Sequence, residues 1–433
     1  MPNPCGGKLG WVVGRGSPTE LGKRGRPVLL VAGCLLALAI GACGGGEAGE
    51  SSSGKKEVLY GLADEQSGSL QVYGIPARVG VEAAADSINA DGGISVGGEE
   101  YRAGVTIADN RSDPSAVASS TQKVIGAGAI AALGPAIAAP VSYNLMKNAN
   151  LITFTADFGL ETELEKNAAA NPLLFSVTPF FGRLYSRNMK QVAARFPEIK
   201  TVAILSPAND EGKGAAEAYA YGATEAGMKV VAEKLYPEET TDFSSTLTSI
   251  KGDQPDLLIA LQSTEQALTI MQQANQLSVT HYMLNDTVTP DQVLETSGLE
   301  SAEVIIPNFS PTFSPEATIP AYDPEELFGD HAVPNTPGAA IDMWYSYRLL
   351  AQAIEEAGTS SDAKAIAEKL PGQSYDGPFG RCSMTEEHEM QCETLLETVS
   401  EGTVEVERYP RSDAVEPSEI YICRSGDCKV KGG

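Results

Sequence analysis

Histidine is scarce in this sequence: His281, His331 and His388 are the three among 433 residues, and they stand in unlike contexts with no paired spacing. That removes the common routes to a histidine general base or a two-histidine metal site, and each is expected to be an incidental or solvated side chain. No glycine-rich loop ends in Lys-Ser or Lys-Thr, so a phosphate-cradling loop is missing too. One Gly-x-Ser-x-Gly pattern occurs, Gly93-Ile94-Ser95-Val96-Gly97. A nucleophile elbow needs a strand before it and a helix after it, and here the order is reversed. An enzyme reading, an α/β hydrolase included, therefore lacks its nucleophile and base. Basic residues are few as well, 31 against 57 acidic ones, for a formal net charge of −26. Residues 1–42 hold Lys8, Arg15, Lys23, Arg24 and Arg26 against Glu20, so the rest of the chain carries −30. A surface that acidic argues against nucleic acid or anionic lipid as the main partner.

Long apolar runs are missing. Val28 to Ala42 is apolar but shorter than the roughly 20 residues a spanning helix needs. It follows the basic cluster Lys23, Arg24 and Arg26, and so reads as a targeting segment over 1–43. Its end, Ile40-Gly41-Ala42-Cys43, resembles a bacterial lipobox, in which small residues precede a cysteine that is lipidated and becomes the new N-terminus. Cys43 is preferred over Cys34, whose apolar run would be only about seven residues, at the low limit for a signal core. The competing reading is a short uncleaved anchor. Either way the bulk of the chain is expected outside the cytoplasm, held at a membrane. Residues 44–56, GGGEAGESSSGKK, have the composition of a flexible tether. Four cysteines then remain: Cys382, Cys392, Cys423 and Cys428. In an oxidising compartment they suggest two disulfides, with three connectivities open. Neighbour pairing, which closes short loops, is preferred.

What is present is an alternation. Residues 57–63 form a short apolar run entering the polar loop Asp64 to Ser69. A helix from Pro76 to Asn89 and a strand ending at Ile107 to Asp109 follow, making one βαβ unit of a parallel sheet. The pattern repeats through a helix at 116–126, strand 130–133, a helix to about Lys147 and strand 151–154. A short strand at 173–177 precedes the first crossover. A second alternation runs from the helix at 184–195 to the strand at 302–306. Residues 308–337 read as a return connection, and 338–357 as a long helix with Met343, Tyr347, Leu350, Ile354 and Ala357 on one stripe and the core aromatics Trp344 and Tyr345 beside it. The fold class is α/β, two doubly wound lobes joined by several strands.

The phrases SGSLQVYG, ARVGVEAAADSINADGGI and ADNRSDPSAVASSTQKVI resemble the N-terminal part of the type I solute-binding proteins of branched-chain amino acid ABC transporters. Ile88-Asn89-Ala90-Asp91-Gly92-Gly93 and Asp113-Pro114 carry the likeness, which runs from about Glu57 to Val406. The family resemblance implies that 309–372 return to join 57–178 as lobe I and that 373–433 join 179–308 as lobe II. It implies a monomeric receptor without cofactor that closes over a small polar ligand and delivers it to an ABC permease; a ligand sensor with a signalling partner is the alternative. In the family the ligand's carboxylate meets loops after the third and fourth strands and its ammonium an acidic residue of the second lobe. The corresponding positions are the alanine-rich loop 134–139, then Thr155 and Asp157, with Asp286 as the acidic residue. Glu211, Gln262 and Tyr73 match other cleft contacts. The expected serine of the first loop is replaced by alanine, which leaves the N–H groups near Ile137 to hold a carboxylate. Asp157, Glu211 and Asp286 together imply a pocket for a cationic or neutral polar ligand.

Overall fold

The computed structural model describes residues 56–431 apart from 262, 309–318, 321, 323, 333–336 and 411–413. The lipidation candidates Cys43 and Cys34, the signal segment and all of the tether but Lys56 lie outside the described residues.

The first part alternates in order as β1 (Glu57–Leu62), α1 (Gln71–Ala90), β2 (Ile94–Val96), β3 (Glu99–Ile107), α2 (Val117–Gly126), β4 (Ala131–Leu133), α3 (Ala139–Asn148), β5 (Ile152–Thr155), α4 (Phe158–Asn167) and β6 (Leu174–Ser176). Its sheet has the order β2-β3-β1-β4-β5-β6. Every pairing is parallel except the β2–β3 hairpin, which turns at Gly97 and Gly98. β4 and β5 are buried at every position, as expected of strands covered by helices on both faces. Ser95 of the Gly-x-Ser-x-Gly pattern sits in the edge strand β2, where its N–H donates to Glu355.

The chain then crosses to a second alternation: α5 (Phe181–Arg195), β7 (Thr201–Pro207), α6 (Asp210–Glu225), β8 (Lys229–Tyr236), α7 (Ser244–Gly252), β9 (Leu257–Ala260), α8 (Thr264–Gln276), β10 (Tyr282–Leu284), α9 (Pro290–Glu295) and β11 (Glu303–Asn308). The remainder comprises α10 (Pro324–Phe328), α11 (Gly338–Ala357), α12 (Ala363–Ala367), β12 (Ser374–Gly377), β13 (Gly380–Met384), β14 (Met390–Gln391), β15 (Thr394–Ser400), β16 (Thr403–Tyr409), β17 (Glu419–Arg424) and β18 (Asp427–Val430). The second sheet has the order β18-β17-β16-β15-β11-β10-β9-β7-β8, parallel from β11 to β8 and antiparallel from β11 outward.

α11 is buried on all sides over most of its length, so it behaves as a core helix rather than a surface one. It returns to the first sheet, where Tyr347 donates to the carbonyls of Val58 and Gly104 and Ser346 bonds Tyr60. Gly80 of α1 faces it. A Cβ there would lie 1.9 Å from the carbonyl oxygen of Ala340, so glycine permits the close crossing.

Several elements differ from the sequence reading. α1 starts at Gln71, placing Pro76 in its second turn, because the bonds from Gln71 N to Gly68 O and from Tyr73 N to Leu70 O already bend the chain. Sequence periodicity does not anticipate α4, which Asp157 caps. The strands β15, β17 and β18 are missed because hairpin pairing, not local pattern, makes them. His388 is not incidental: its ring stacks on Phe175 at 4.3 Å and its Nδ1 lies 2.9 Å from the carbonyl oxygen of Leu174. Cys382–Cys392 and Cys423–Cys428 are the two disulfides, each closing a hairpin.

Candidate functional site

Parallel strands end together, so the loops after β1, β3, β4, β5 and β6 share one edge of the first sheet, where small ligands bind in open parallel sheets. The β1 and β3 loops are sewn to each other. Ser67 donates to Asp109 from Oγ at 2.6 Å and from its N–H at 3.2 Å, and Ser112 Oγ donates to Ser67 O at 2.8 Å. Glu65, 1% exposed, reaches further along the edge. Its carboxylate accepts Asn110 Nδ2 at 3.1 Å, Ala136 N at 3.2 Å and Ile137 N at 3.1 Å. The N–H groups near Ile137, expected to be open to a ligand's carboxylate, are thus bonded to one of the chain's own. Both N–H groups belong to the loop just before Ala138, which at φ +51° is the N-cap of α3 and has no side-chain cap; Glu65 satisfies the loop's donors, not the helix's own.

Thr155 and Asp157 are brought into direct contact one strand further on, where Asp157 N donates to Thr155 Oγ1 at 3.0 Å. Asp157 Oδ1 accepts Leu160 N at 2.9 Å, so this carboxylate caps α4 as well as facing the strand ends. Behind it lies Glu161, 2% exposed, accepting the hydroxyls of Ser176 at 2.6 Å and Thr178 at 2.7 Å. Burial pushes the Glu161 carboxyl up to about 8 despite those bonds. It also pushes up Asp64, to about 7 against a bond from Gln66, and Asp342, where the charge of Glu161 adds to the effect of burial.

The second sheet presents its own edge. Asn285 is buried and organises the β10 loop, donating to Ala260 O at 2.7 Å and accepting the N–H groups of Thr287 and Val288. The next residue, Asp286, is half-buried and accepts Tyr219 Oη at 3.0 Å. Tyr219 is itself buried and stacked on Tyr185 at 4.2 Å. Burial first, then the Asp286 charge, drives the Tyr219 phenol well above its usual value, so it stays a donor. In the β7 loop, Asn209 caps α6 by accepting Gly212 N at 2.7 Å.

The remaining sequence candidates are dispersed. Tyr73 lies in the first turn of α1 with 55% exposure. Glu211 is in the first turn of α6. Gln262 falls outside the described residues. A cavity of about 380 Å³ lies along the strand-end edge of the second sheet, between the loop after β8 and the start of α8, lined by Glu238, Glu239, Phe243, Glu265 and Gln266 among others. It holds none of the sequence candidates, and the other strand-end loops, organised by buried polar bonds, are the better-built site. Among the described residues no group of three or more His, Cys, Asp or Glu could hold a metal ion, and no helix is long and apolar enough to cross a membrane. Glu65 and Glu161 are what sequence reasoning missed. An acidic pair directly after a buried parallel strand, Asp64-Glu65, was the available signal.

Comparison with known proteins agrees with this geometry. The family profile described as periplasmic binding protein matches residues 60–402. A Leu/Ile/Val-binding protein, BraC3, of Rhizobium johnstonii is 27% identical over 328 residues, covering 72% of this chain and 83% of that one. Among solved structures, an ABC transporter substrate-binding protein from Sphaerobacter thermophilus superposes with a TM-score of 0.68 at 19% identity, over 83% of this chain and 99% of its own. The branched-chain amino acid transporter substrate-binding protein LivJ from Streptococcus pneumoniae, in complex with isoleucine, gives 0.63 at 22%, over 82% and 100%. The matched span takes in the first sheet and the second as far as β15, and the fold is that of the type I solute-binding proteins the sequence resembles: the chain belongs to the periplasmic binding protein family.

Proposed function

We propose that this chain is an extracytoplasmic receptor that captures a small polar ligand, an amino acid, amide or related compound, between two lobes and delivers it unaltered to an ABC permease. Residues 57–178 with 309–372 form one lobe, and 179–308 with 373–433 the other. Cys43 is its lipid anchor and residues 44–56 the tether; it acts as a monomer, without cofactor and without catalysis. The observation that carries the reading is the pairing of two parallel-sheet edges, each with a polar loop anchored from within: Thr155 with Asp157 on one, Asp286 on its Tyr219 support on the other. Tyr73, Glu211 and Gln262 complete the ligand-binding set. Hinge closure of two such lobes is a known way for binding proteins to bury a ligand.

Thermal-shift and calorimetric titration of the mature protein with amino acids, amides and amines tests this. A receptor gains RT ln(1 + [L]/Kd), about 2.7 kcal/mol when ligand stands at 100 times Kd. D286N is expected to weaken binding by about ten-fold or more while leaving the melting temperature of the free protein nearly unchanged; T155V is expected to weaken binding too and, because Asp157 N loses its acceptor, to lower that melting temperature. Turnover of any bound compound, or full affinity in both variants, would count against the reading.

A further inference from the structure

The loops that follow the parallel strands decide what charge the cleft tolerates. Those after β1, β3, β5, β8 and β10 carry Asp64, Glu65, Asp109, Asp113, Asp157, Glu238, Glu239, Asp242 and Asp286, and the loops after β4, β6, β7 and β9 add no charge. Arg111 is the sole basic residue on any of them. The nearest other cations sit in helix first turns: Lys213, and Arg183, which is paired with Glu389 at 2.8 Å and Glu165 at 3.7 Å.

One of these acids is not simply part of a negative field. Glu65 spends both oxygens on three N–H donors, Oε1 on Ile137 N and Asn110 Nδ2 and Oε2 on Ala136 N. Its backbone is closely held on the other side: a Cβ on Gly74 would fall 2.2 Å from Glu65 O, and Asn110 N donates to Asp64 O at 3.0 Å. An oxyanion arriving from solution would have to displace a buried carboxylate and then leave it unpaired, which is costly. Asp64 stands beside it, 2% exposed, and its Oδ2 has no hydrogen-bond partner among the described residues. That oxygen is closed off from solvent, and burial raises the carboxyl to about 7.

We infer that Glu65 is a built-in anion filling the cradle at the start of α3, and that it makes the receptor selective for an organic amine or amino amide that presents no carboxylate there. The inference rests on the receptor reading above and names the ligand class for the same site. Glu65 acts on specificity by exclusion, while Asp286 on the second sheet offers an acceptor to N–H groups and positive charge.

The test titrates the mature protein and its E65A and E65Q variants with L-leucine, L-leucinamide and isoamylamine, followed by calorimetry, and separately follows melting in acetate. For the native protein, leucinamide or isoamylamine is expected to bind at least about ten-fold more tightly than leucine. E65A should close or invert that ratio, and acetate should raise its melting temperature more than it raises that of the native protein, because the small anion refills the cradle. E65Q keeps the shape and loses the charge, so it reports the same narrowing if E65A does not fold. Tighter binding of leucine than of leucinamide to the native protein overturns the inference and leaves the receptor reading intact. An unchanged preference in E65A and E65Q overturns it as well. If none of the three compounds binds while acetate still rescues E65A, the ligand class falls together with the receptor reading, and only the occupancy of the cradle stands.

Discussion

Glu389 accepts the N–H of Phe180 at 2.8 Å across 209 positions of sequence, fixing the point where the chain leaves the first sheet for the second. The same carboxylate accepts Arg183 Nη1 at 2.8 Å and Gln391 Nε2 at 2.6 Å, and the adjacent carbonyl of His388 accepts Ser176 N. The turn between β13 and β14 is therefore a clasp on the crossover β6–α5.

Removing that clasp has a defined cost. Glu389 is fully buried, and Glu389→Ala leaves the Phe180 N–H without its acceptor, whereas the half-exposed Arg183 turns to water. Destabilisation of about 1–3 kcal/mol is expected from chemical denaturation. A midpoint equal to that of the native protein would show that the crossover is held elsewhere.

The two disulfides should differ in effect. Cys382–Cys392 spans 10 positions and closes the clasp hairpin, while Cys423–Cys428 spans 5 at the end of the chain. Chain-entropy arguments give about 3 kcal/mol for the longer loop and about 2 for the shorter. The double alanine variant at 382 and 392 is expected to melt lower than that at 423 and 428, with the gap widened by slackening of the turn around Glu389. Equal melting temperatures would contradict the structural role given to that turn.

Acidity should stabilise the fold over a window set by buried acids. Glu161 ordinarily titrates near 4.5 and is raised to about 8; Asp64 ordinarily titrates near 3.8 and is raised to about 7, in each case chiefly by burial. Between the unfolded and folded values the native state holds the extra protons, so stability is complete below about pH 4, declines as pH rises, and is lost through about 7 to 8. Melting temperature should fall from pH 5 to pH 8, more steeply in the native protein than in Glu161→Gln. A profile that rises over this interval, or one that E161Q does not flatten, would remove these groups as its cause.

At the α1–α11 crossing, Gly80→Ala puts a methyl group 1.9 Å from a backbone oxygen that cannot move without shifting α11. A loss of about 1–3 kcal/mol or more is expected. Gly92→Ala is the control for general glycine replacement, since its position meets nothing within 4 Å but has φ +115°: it should lose stability through strain alone, with the tryptophan and tyrosine signals of α11 unperturbed.

Much of this was legible before any coordinates. Runs such as Leu257–Ala260 are apolar at every position because both faces are covered, and the helices between them follow turn and cap residues, so the alternation and its boundaries could be read to within a few residues. The helix at Gly338–Ala357 carried its own period. The C-terminal hairpins could not be read in this way, because β15 owes its place to β11, with Val304 opposite Val399, rather than to its neighbours in sequence. The site was half visible. Thr155, Asp157 and Asp286 stand at strand ends as the family resemblance implies, but a resemblance says nothing of what a carboxylate bonds to: Asp157 turned out to cap a helix, and Glu65 took the N–H groups assigned to a guest.

The late position of α11 also bears on how a nascent chain behaves. Every strand of the first sheet has been synthesised by Ser176, yet the hydroxyls of Ser346 and Tyr347 that lock Tyr60, Val58 and Gly104 come from the helix at Gly338–Ala357. A polypeptide emerging N-terminus first therefore carries that sheet without α11 until residues 338–357 have been made, and closing so distant a contact is slow. The topology thus defers the final locking of the first sheet to a helix made late in synthesis.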